Sequence, residues 1–451
     1  MQTVIRELDV LDDAASRADG RDVEHSWRPS ARRSEPSSRS RSPRRRARAI
    51  LAWRGCIHAG AIDALLRSEI PQMRTHILTA TTHWNTGHFA SCTNIYKYWP
   101  ELGEEVHLYC HQASARLKRA WRHGLHTLTP KILPDPVISA LQKSVSKQFF
   151  DRRLLTRLVR SVQPGDFAVV WPGAPIESFQ ALKDAGCLVG VEFINNHCRS
   201  SYEILVSEYK KLDIPLELRI DENMIAVDDY RINMADFLFC SNPYVEESIL
   251  QSHSVRHKII STARGTDLKT GQSAKSAPNE RFTFVFVGAF CVRKGAPHLV
   301  EAMRRFDSSV QLLVAGKVTS EMTRWLADRG VPDNIEFLGF VQNISEVYVR
   351  SHALVFPSLE EGGPKVCYEA AAHALPMVVT RMGGGRIAED GETAFVTPPS
   401  DTESLVDAMR RLVSNRAVYE TMSERALERA SDFSWRAVAA DRHAKLKAKG
   451  V

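Results

Sequence analysis

From about residue 75, short runs of β-branched and aromatic residues recur along the chain, each followed by a longer stretch whose apolar positions have helical spacing. The first set of runs lies at 76–82, 105–109, 167–170, 188–193, 237–240 and 258–261. A polar stretch, TDLKTGQSAKSAPNER at 266–281, interrupts the pattern, which then restarts at 282–287, 310–315, 335–337, 353–356, 377–380 and 394–396. Strands that alternate with helices predict a parallel sheet covered on both faces, and the second round predicts a second domain of the same kind. The expected chain is therefore α/β, with two doubly wound domains at 73–265 and 282–432, a linker at 266–281 and a closing helix at 433–451. In such folds ligands gather outside the carboxyl ends of strands and in the cleft between domains, so the loops directly after strands are where chemistry is to be sought.

The length of 451 residues suits two or three domains with sizeable cores. Lys plus Arg number 60 against 53 Asp plus Glu, a formal charge of +7 that taken alone suggests a nucleic-acid or acidic-membrane partner. Its location changes that reading. Residues 1–72 hold fourteen arginines, no lysine and ten acidic residues, with most of the arginines in a Ser/Pro/Arg tract that has almost nothing apolar to bury. This segment reads as a disordered extension, either a nucleic-acid arm or a dispensable stretch ahead of Met73. A second basic concentration spans 111–160, with eleven Lys or Arg residues against Asp135 and Asp151, interleaved with Trp121, Ile138, Phe149 and Phe150. Two amphipathic helices broken at Pro130, Pro134 and Pro136 are expected there, presenting either a solvated face or a surface for anionic lipid or an anionic acceptor. Apart from this patch the body is acidic, so nucleic acid is not the expected partner.

The eight cysteines show no C-x-x-C or His/Cys cluster, which fits free thiols in a reducing compartment. The longest apolar run, 282–292, is far short of the roughly 20 residues of a membrane span. Acidic and basic residues interrupt the first fifteen positions, so a secretory leader is not expected. A cytoplasmic protein, at most peripheral to the inner face of the membrane, is the expectation.

Two strand–loop–helix segments carry candidate chemistry. In 353–379, ALVFPSLEEGGPKVCYEAAAHALPMVV, Glu361 lies in the loop, Gly362 and Gly363 let backbone amides approach a ligand, and Pro364 suits the start of a helix whose positive end favours an anion. Glu369, eight residues beyond Glu361, falls about a turn and a half into that helix. Two carboxylates around a helix start can accept hydrogen bonds from two sets of sugar hydroxyls, although spacing alone also describes an ordinary loop and helix surface. In the second segment Gly288 follows the strand 282–287, and Arg293, Lys294 and Gly295 precede a helix, placing two cations at the same strand-end level.

With both loops in view, the stretch from about 283 to 440 resembles the donor-binding domain of glycosyltransferase family 4, retaining nucleotide-sugar transferases of GT-B fold with two Rossmann-like domains. The resemblance rests on VG followed by RKG at 293–295, VQLLVAG, IEFLGFV at 335–341, the EEG-x-P…E block with Glu361 and Glu369, LPMVVT, DGETAFVTPP at 390–399 and FSW at 433–435. A weaker match continues into the first half through ADFLFCSNPYVEESI at 235–249, KII at 258–260 and RGTD at 264–267. It implies an acceptor domain at 73–265 and a donor domain at 282–432. Glu361 would hold donor-sugar hydroxyls and Glu369 the ribose. Arg293 and Lys294 would pair with the diphosphate, Gly288 would lie beside it, and Gly339, Phe340 and Val341 would meet the base. The amides of Gly362, Gly363, Pro364-adjacent Lys365 and the loop they form would touch sugar and phosphate. From the first domain, Gly87 would approach the phosphates and His197 the reacting sugar, so the implied catalytic set is Glu361, His197, Lys294 and Arg293.

There are departures from the family pattern: Ala289 stands where an arginine is common, the first loop has one glycine instead of two, Gly385 and Arg386 replace a usual Pro-Glu pair, and Ala394 replaces a glycine. No D-x-D occurs, so no metal is expected at the diphosphate and the nucleotide-sugar is a co-substrate, with no other cofactor. The resemblance implies transfer to a saccharide, lipid-linked or other hydroxyl acceptor with retention at the anomeric carbon, in polysaccharide or related synthesis. A nucleotide-sugar epimerase of the same architecture and an inactive nucleotide-sugar or nucleic-acid binding protein are the alternatives.

Overall fold

A computed structural model describes residues 73–83, 87–113, 117–118, 121, 124–128, 147–217, 220–267 and 281–451. These all fall in one unit, Gln72–Val451. The arginine-rich extension, most of the linker and the proline-broken part of the basic segment lie outside the described residues.

The first sheet has seven strands: β1 (Arg74–His83), β2 (Glu105–Ala113), β3 (Leu125–Thr127), β4 (Phe167–Val170), β5 (Leu188–Phe193), β6 (Phe237–Cys240) and β7 (Ile259–Ser261). They are ordered β3-β2-β1-β4-β5-β6-β7, and every pairing is parallel. The second sheet has β8 (Phe282–Val287), β9 (Val310–Ala315), β10 (Ile335–Gly339), β11 (Ala353–Phe356), β12 (Met377–Thr380) and β13 (Ala394–Thr397), ordered β10-β9-β8-β11-β12-β13 and also wholly parallel. Both sheets reverse their winding direction once, between β1 and β4 and between β8 and β11. These are the two topological switch points, where crevices open at the strand carboxyl ends.

The expected alternation is present, with two differences. Strand β3 was not expected from the sequence, and β2 runs four residues past the predicted end at Tyr109. The pattern within strands follows from burial on both faces: all four residues of β4 are buried, Phe167 and Val169 joining one core while Ala168 and Val170 join the other. The second sheet is enclosed in the same way, by a single core that includes β8, β11 and β12.

The closing helix, Trp435–Ala448, packs with the first sheet although it follows the second. Ser434 caps it by accepting the Ala437 amide, and Trp435, Ala439 and Leu446 join the core of β1, β2 and β4. Trp99 Nε1 donates to the Ala439 carbonyl at 3.1 Å. Arg442 is fully buried, ion-paired with Glu192, the penultimate residue of β5, and placed 4.1 Å from the Phe239 ring. The chain thus crosses back after the second domain and is held by a buried charge pair. Further bonds tie the two domains together: His298 to Glu208 at 2.6 Å, Tyr209 to Glu321, and Arg386 to both Glu246 and the Thr262 carbonyl. Among the described residues no helix is long and apolar enough to cross a membrane.

Candidate functional site

The loops after β8 and β11 leave the sheet on either side of the switch point and are joined there. Leu359 N donates to the Arg293 carbonyl at 2.9 Å, so backbone links the two loops directly. Gly295 sits at φ +73°, and a Cβ there would lie 2.1 Å from the Pro357 carbonyl oxygen, so glycine is what permits this approach. From below, buried Glu321 accepts the Val292 amide at 3.1 Å and fixes the turn that carries the two cations.

The four charged side chains of these loops meet. Lys294 Nζ lies 2.5 Å from Glu361 Oε2, and its ammonium also sits 4.6 Å from the Phe356 ring centre. Arg293 bonds the Glu360 carboxylate and the Glu360 carbonyl, each at 3.1 Å, and lies 3.8 Å from Glu361. Burial works against the Arg293 charge, but Glu361 and Glu360 outweigh it and hold the guanidinium above its ordinary pKa. Glu360 was not singled out in the sequence, where the E-x7-E spacing favoured its neighbour; the EEG doublet was the available signal. Two cations and two carboxylates therefore cluster at a strand-end crevice, each cation already oriented by a carboxylate.

Glu369 is the fifth residue of the helix Lys365–Ala371, with Pro364 at its N-cap position. Its carboxylate accepts from Tyr348 at 3.3 Å and pairs with Lys365 at 2.8 Å. Gly288 follows β8 at φ +132°, and the Lys294 alkyl chain runs past it, 3.5 Å from where a Cβ would be. Gly339 ends β10 at φ +64°, and the next residue, Phe340, is 90% exposed, an isolated aromatic at the carboxyl end of the sheet. Val341, which follows it, packs at the margin of the second core.

The glycine pair lies against the opposite domain. A Cβ at Gly362 would lie 1.8 Å from the Ile194 carbonyl oxygen, and one at Gly363 would lie 2.6 Å from Arg264 Nε. Both clashes are with the first domain, so in this structure the missing side chains admit the opposite domain. Ser241 donates to the Gly362 carbonyl at 2.9 Å and Asn242 to the Glu361 carbonyl at 3.2 Å, fixing the same contact. Arg264, also missed in the sequence, is buried with Nη1 unpartnered among the described residues, and desolvation lowers its pKa.

His197 is not brought into contact with the charged group. It is 1% exposed and caps the helix Cys198–Lys211: Nδ1 accepts the Arg199 amide at 3.3 Å, Nε2 bonds Asp229 at 3.0 Å, and its amide donates to Ser248 at 2.9 Å. Both ring nitrogens have partners within the first domain. With His253, this group offers three metal-capable atoms within 4.8 Å of one another. Because Nδ1 accepts an amide proton, however, a neutral His197 ring keeps its own proton on Nε2, where it donates to Asp229. The trio is therefore a hydrogen-bonded chain joining two helices. Gly87 is the first residue of the helix Gly87–Tyr96, and the loop before it lies outside the described residues.

Comparison with known proteins places this geometry. Residues 281–415 match the family model described as "Glycosyl transferases group 1". The chain is 26% identical over 351 residues to the phosphatidyl-myo-inositol mannosyltransferase of Mycobacterium leprae, covering 72% of this chain and 88% of that protein. It is 24% identical over 210 residues to an uncharacterized glycosyltransferase of Methanocaldococcus jannaschii, covering 46% of this chain and 58% of that one. With the exopolysaccharide phosphotransferase of Streptomyces coelicolor the match spans only 13% of the relative's length. Among solved structures, sucrose-phosphate synthase from Thermosynechococcus elongatus is similar with a TM-score of 0.60 at 18% identity, over 84% of this chain and 98% of that one. Anabaena HepE, solved with UDP and glucose, gives 0.57 at 14% identity over 83% of this chain and the whole of that one. The architecture is GT-B, and the likeness to glycosyl transferases is carried mainly by the second domain.

Proposed function

We propose that the protein transfers a sugar from a nucleoside-diphosphate donor to a hydroxyl of a saccharide or lipid-linked acceptor, with retention at the anomeric carbon. The observation that carries the reading is the Lys294–Glu361 pair at 2.5 Å, formed by the two loops that flank the switch point of the second sheet. A donor laid across this crevice gives each member of the pair a new partner. Sugar hydroxyls donate to Glu361, and Lys294 and Arg293 turn from carboxylates to the diphosphate. As the anomeric C–O bond breaks, charge grows on the leaving phosphate. Each fixed cation at about 4 Å then contributes on the order of 4 kcal/mol at an effective dielectric near 20.

The remaining roles follow from position. Glu369, already accepting from a tyrosine hydroxyl, suits the ribose, and exposed Phe340 with the backbone at Gly339 and Val341 suits the base. The amides of the loop from Gly362 to Lys365 face sugar and phosphate once the domains adjust to the donor. The acceptor oxygen attacks from the face the phosphate leaves, and the phosphate takes its proton, so no protein nucleophile is assigned. His197 caps the helix Cys198–Lys211, and in this reading it acts by positioning that helix.

The test is a product analysis. The protein is incubated with UDP-, GDP- and ADP-sugars and a panel of glycoside acceptors, and the new linkage is read by its anomeric NMR coupling. A transferred sugar with the donor's anomeric configuration is expected. Inverted configuration would overturn retention, and free or epimerised sugar formed without an acceptor would overturn transfer.

A further inference from the structure

The loop 361–365 rests on a seat that the first domain builds from residues after β6 and β7. Ser241 and Asn242 fix it by donating to the Gly362 and Glu361 carbonyls. Arg264, three residues after β7, completes the seat: a Cβ at Gly363 would lie 2.6 Å from its Nε and 3.0 Å from its Cγ, so the loop backbone runs directly over the side chain. Two of the three residues are neutral hydrogen-bonding groups. The third carries a charge that the seat itself does not use.

Arg264 is 4% exposed, forms no ion pair among the described residues, and its Nη1 has no hydrogen-bond partner there. The groups whose charge reaches it are Glu192 on β5, Arg442 on the closing helix, Tyr368 on the helix Lys365–Ala371, and Glu361. Glu192 already holds Arg442, which repels a second guanidinium, and Glu361 already holds Lys294 at 2.5 Å. A buried cation without a counter-ion destabilises a fold, and an uncharged side chain of similar length would pack under Gly363 equally well. The charge therefore points to another state of the site.

That state follows from the proposed function. In the free protein Lys294 neutralises Glu361, with Arg293 3.8 Å away. When both cations turn to the diphosphate, Glu361 is left facing Glu360 and the phosphate charge, and its titratable neighbour on the next helix, Cys367, is held protonated by burial. A carboxylate with only like charges about it takes up a proton at higher pH, and a protonated Glu361 accepts fewer sugar hydroxyls. Among the described residues Arg264 is the nearby cation with no carboxylate of its own.

We propose that Arg264 is a positioning residue that becomes the counter-ion of Glu361 when the donor draws Lys294 and Arg293 away, keeping the sugar-binding carboxylate ionised and its loop seated. The inference rests on the transferase reading and adds to it a residue of the first domain, so that the donor site is complete only while the two domains are in contact.

The test compares wild type, Arg264→Met and Arg264→Lys as full chains. Transfer from UDP-, GDP- and ADP-sugars to a glycoside acceptor is followed from about pH 4.5 to about pH 9. Arg264→Met should lower kcat at neutral pH about tenfold and move the acid limb of the profile up by about one pH unit, because Glu361 in the donor complex then protonates more easily. Arg264→Lys keeps the charge and should restore most of the rate and of the limb. Calorimetric affinity for UDP, GDP or ADP without a sugar should fall by less than turnover does, since Lys294 and Arg293 still meet the diphosphate. Without a donor, Arg264→Met should melt no lower than wild type, because it removes an unpaired buried charge and keeps most of the volume. A lower melting temperature would show that the guanidinium is satisfied structurally and would overturn the proposal. So would an Arg264→Lys protein as impaired as Arg264→Met, or diphosphate affinity that falls as far as turnover. Wild type that transfers while Arg264→Met matches it in rate and acid limb removes Arg264 alone and leaves the transferase reading standing; wild type that turns over none of the nucleotide-sugars overturns both.

Discussion

The two sheets of this molecule share a topology, and the residues at their strand ends differ in chemistry. At the second, between β8 and β11, the loops bring together Lys294, Arg293, Glu360 and Glu361, two charges of each sign in direct contact. In the first domain, the ends of β4 and β5, beside the β1–β4 switch point, carry the buried and uncharged side chains of Trp171 and Asn196. The same βα winding thus carries a cluster of charges at the strand ends of one sheet and buried neutral side chains at those of the other. Topology decides where a site can be, and the residues after each strand decide what it can take. The domains meet between the two crevices, where Gly362 lies against the Ile194 backbone.

The largest effect is expected where the comparison depends on the halves staying together. Arg442→Leu leaves Glu192 buried without its cation, and should destabilise the protein by about 3–5 kcal/mol in urea unfolding. The double variant Arg442→Leu/Glu192→Leu should recover most of that loss. Next comes the charged crevice: Lys294→Ala should lower kcat for transfer by about 10²–10³-fold with circular dichroism unchanged, the range for loss of one preorganised partner to developing charge. Gly362→Ala bears on the junction between the crevices. Its methyl must displace the Ile194 carbonyl or open the cleft, and turnover should fall about 10²-fold while each sheet stays folded.

The smallest effect concerns pH and singles out the first domain. His76 and His126 are each held at about 4, chiefly by burial. The unfolded chain therefore binds protons that the native one refuses between about pH 6.5 and pH 4. Stability that is full above pH 6.5 should fall across that window, with amide protection lost first in β1, β2 and β3. Asp166, which pairs with Arg74 and His76, titrates below its ordinary value and so outside the window. His76→Gln should flatten part of the fall, and an unchanged profile would remove His76 from this account.

Much of the fold was legible because parallel strands buried on both faces read as unbroken apolar runs, as FTFVFV at β8 and ALVF at β11 do. Lys294, Arg293 and Glu361 were legible for the same reason, standing directly after those runs. Strand β3 was not: it is three half-buried residues at a sheet edge, with no apolar run to mark it. The Arg442–Glu192 pair joins positions 250 residues apart, and neither has a local signature. Gly362 shows how the sequence and the structure can give one residue two different reasons. Its sequence context reports the missing Cβ, while only the structure reports that the opposite domain fills the space. His197 was placed by its position after a strand, and its use as a helix cap has none of the sequence signals that Ser or Asp would give.

The central claim is that the β8–β11 crevice is a diphosphate site. The direct measurement is calorimetric titration of UDP, GDP and ADP into wild type and Lys294→Ala at two salt concentrations. One nucleoside diphosphate should bind the wild type, more weakly at higher salt, and Lys294→Ala should reduce its affinity at least about tenfold. Binding of none of the three, or equal affinity in the two proteins, would contradict the claim.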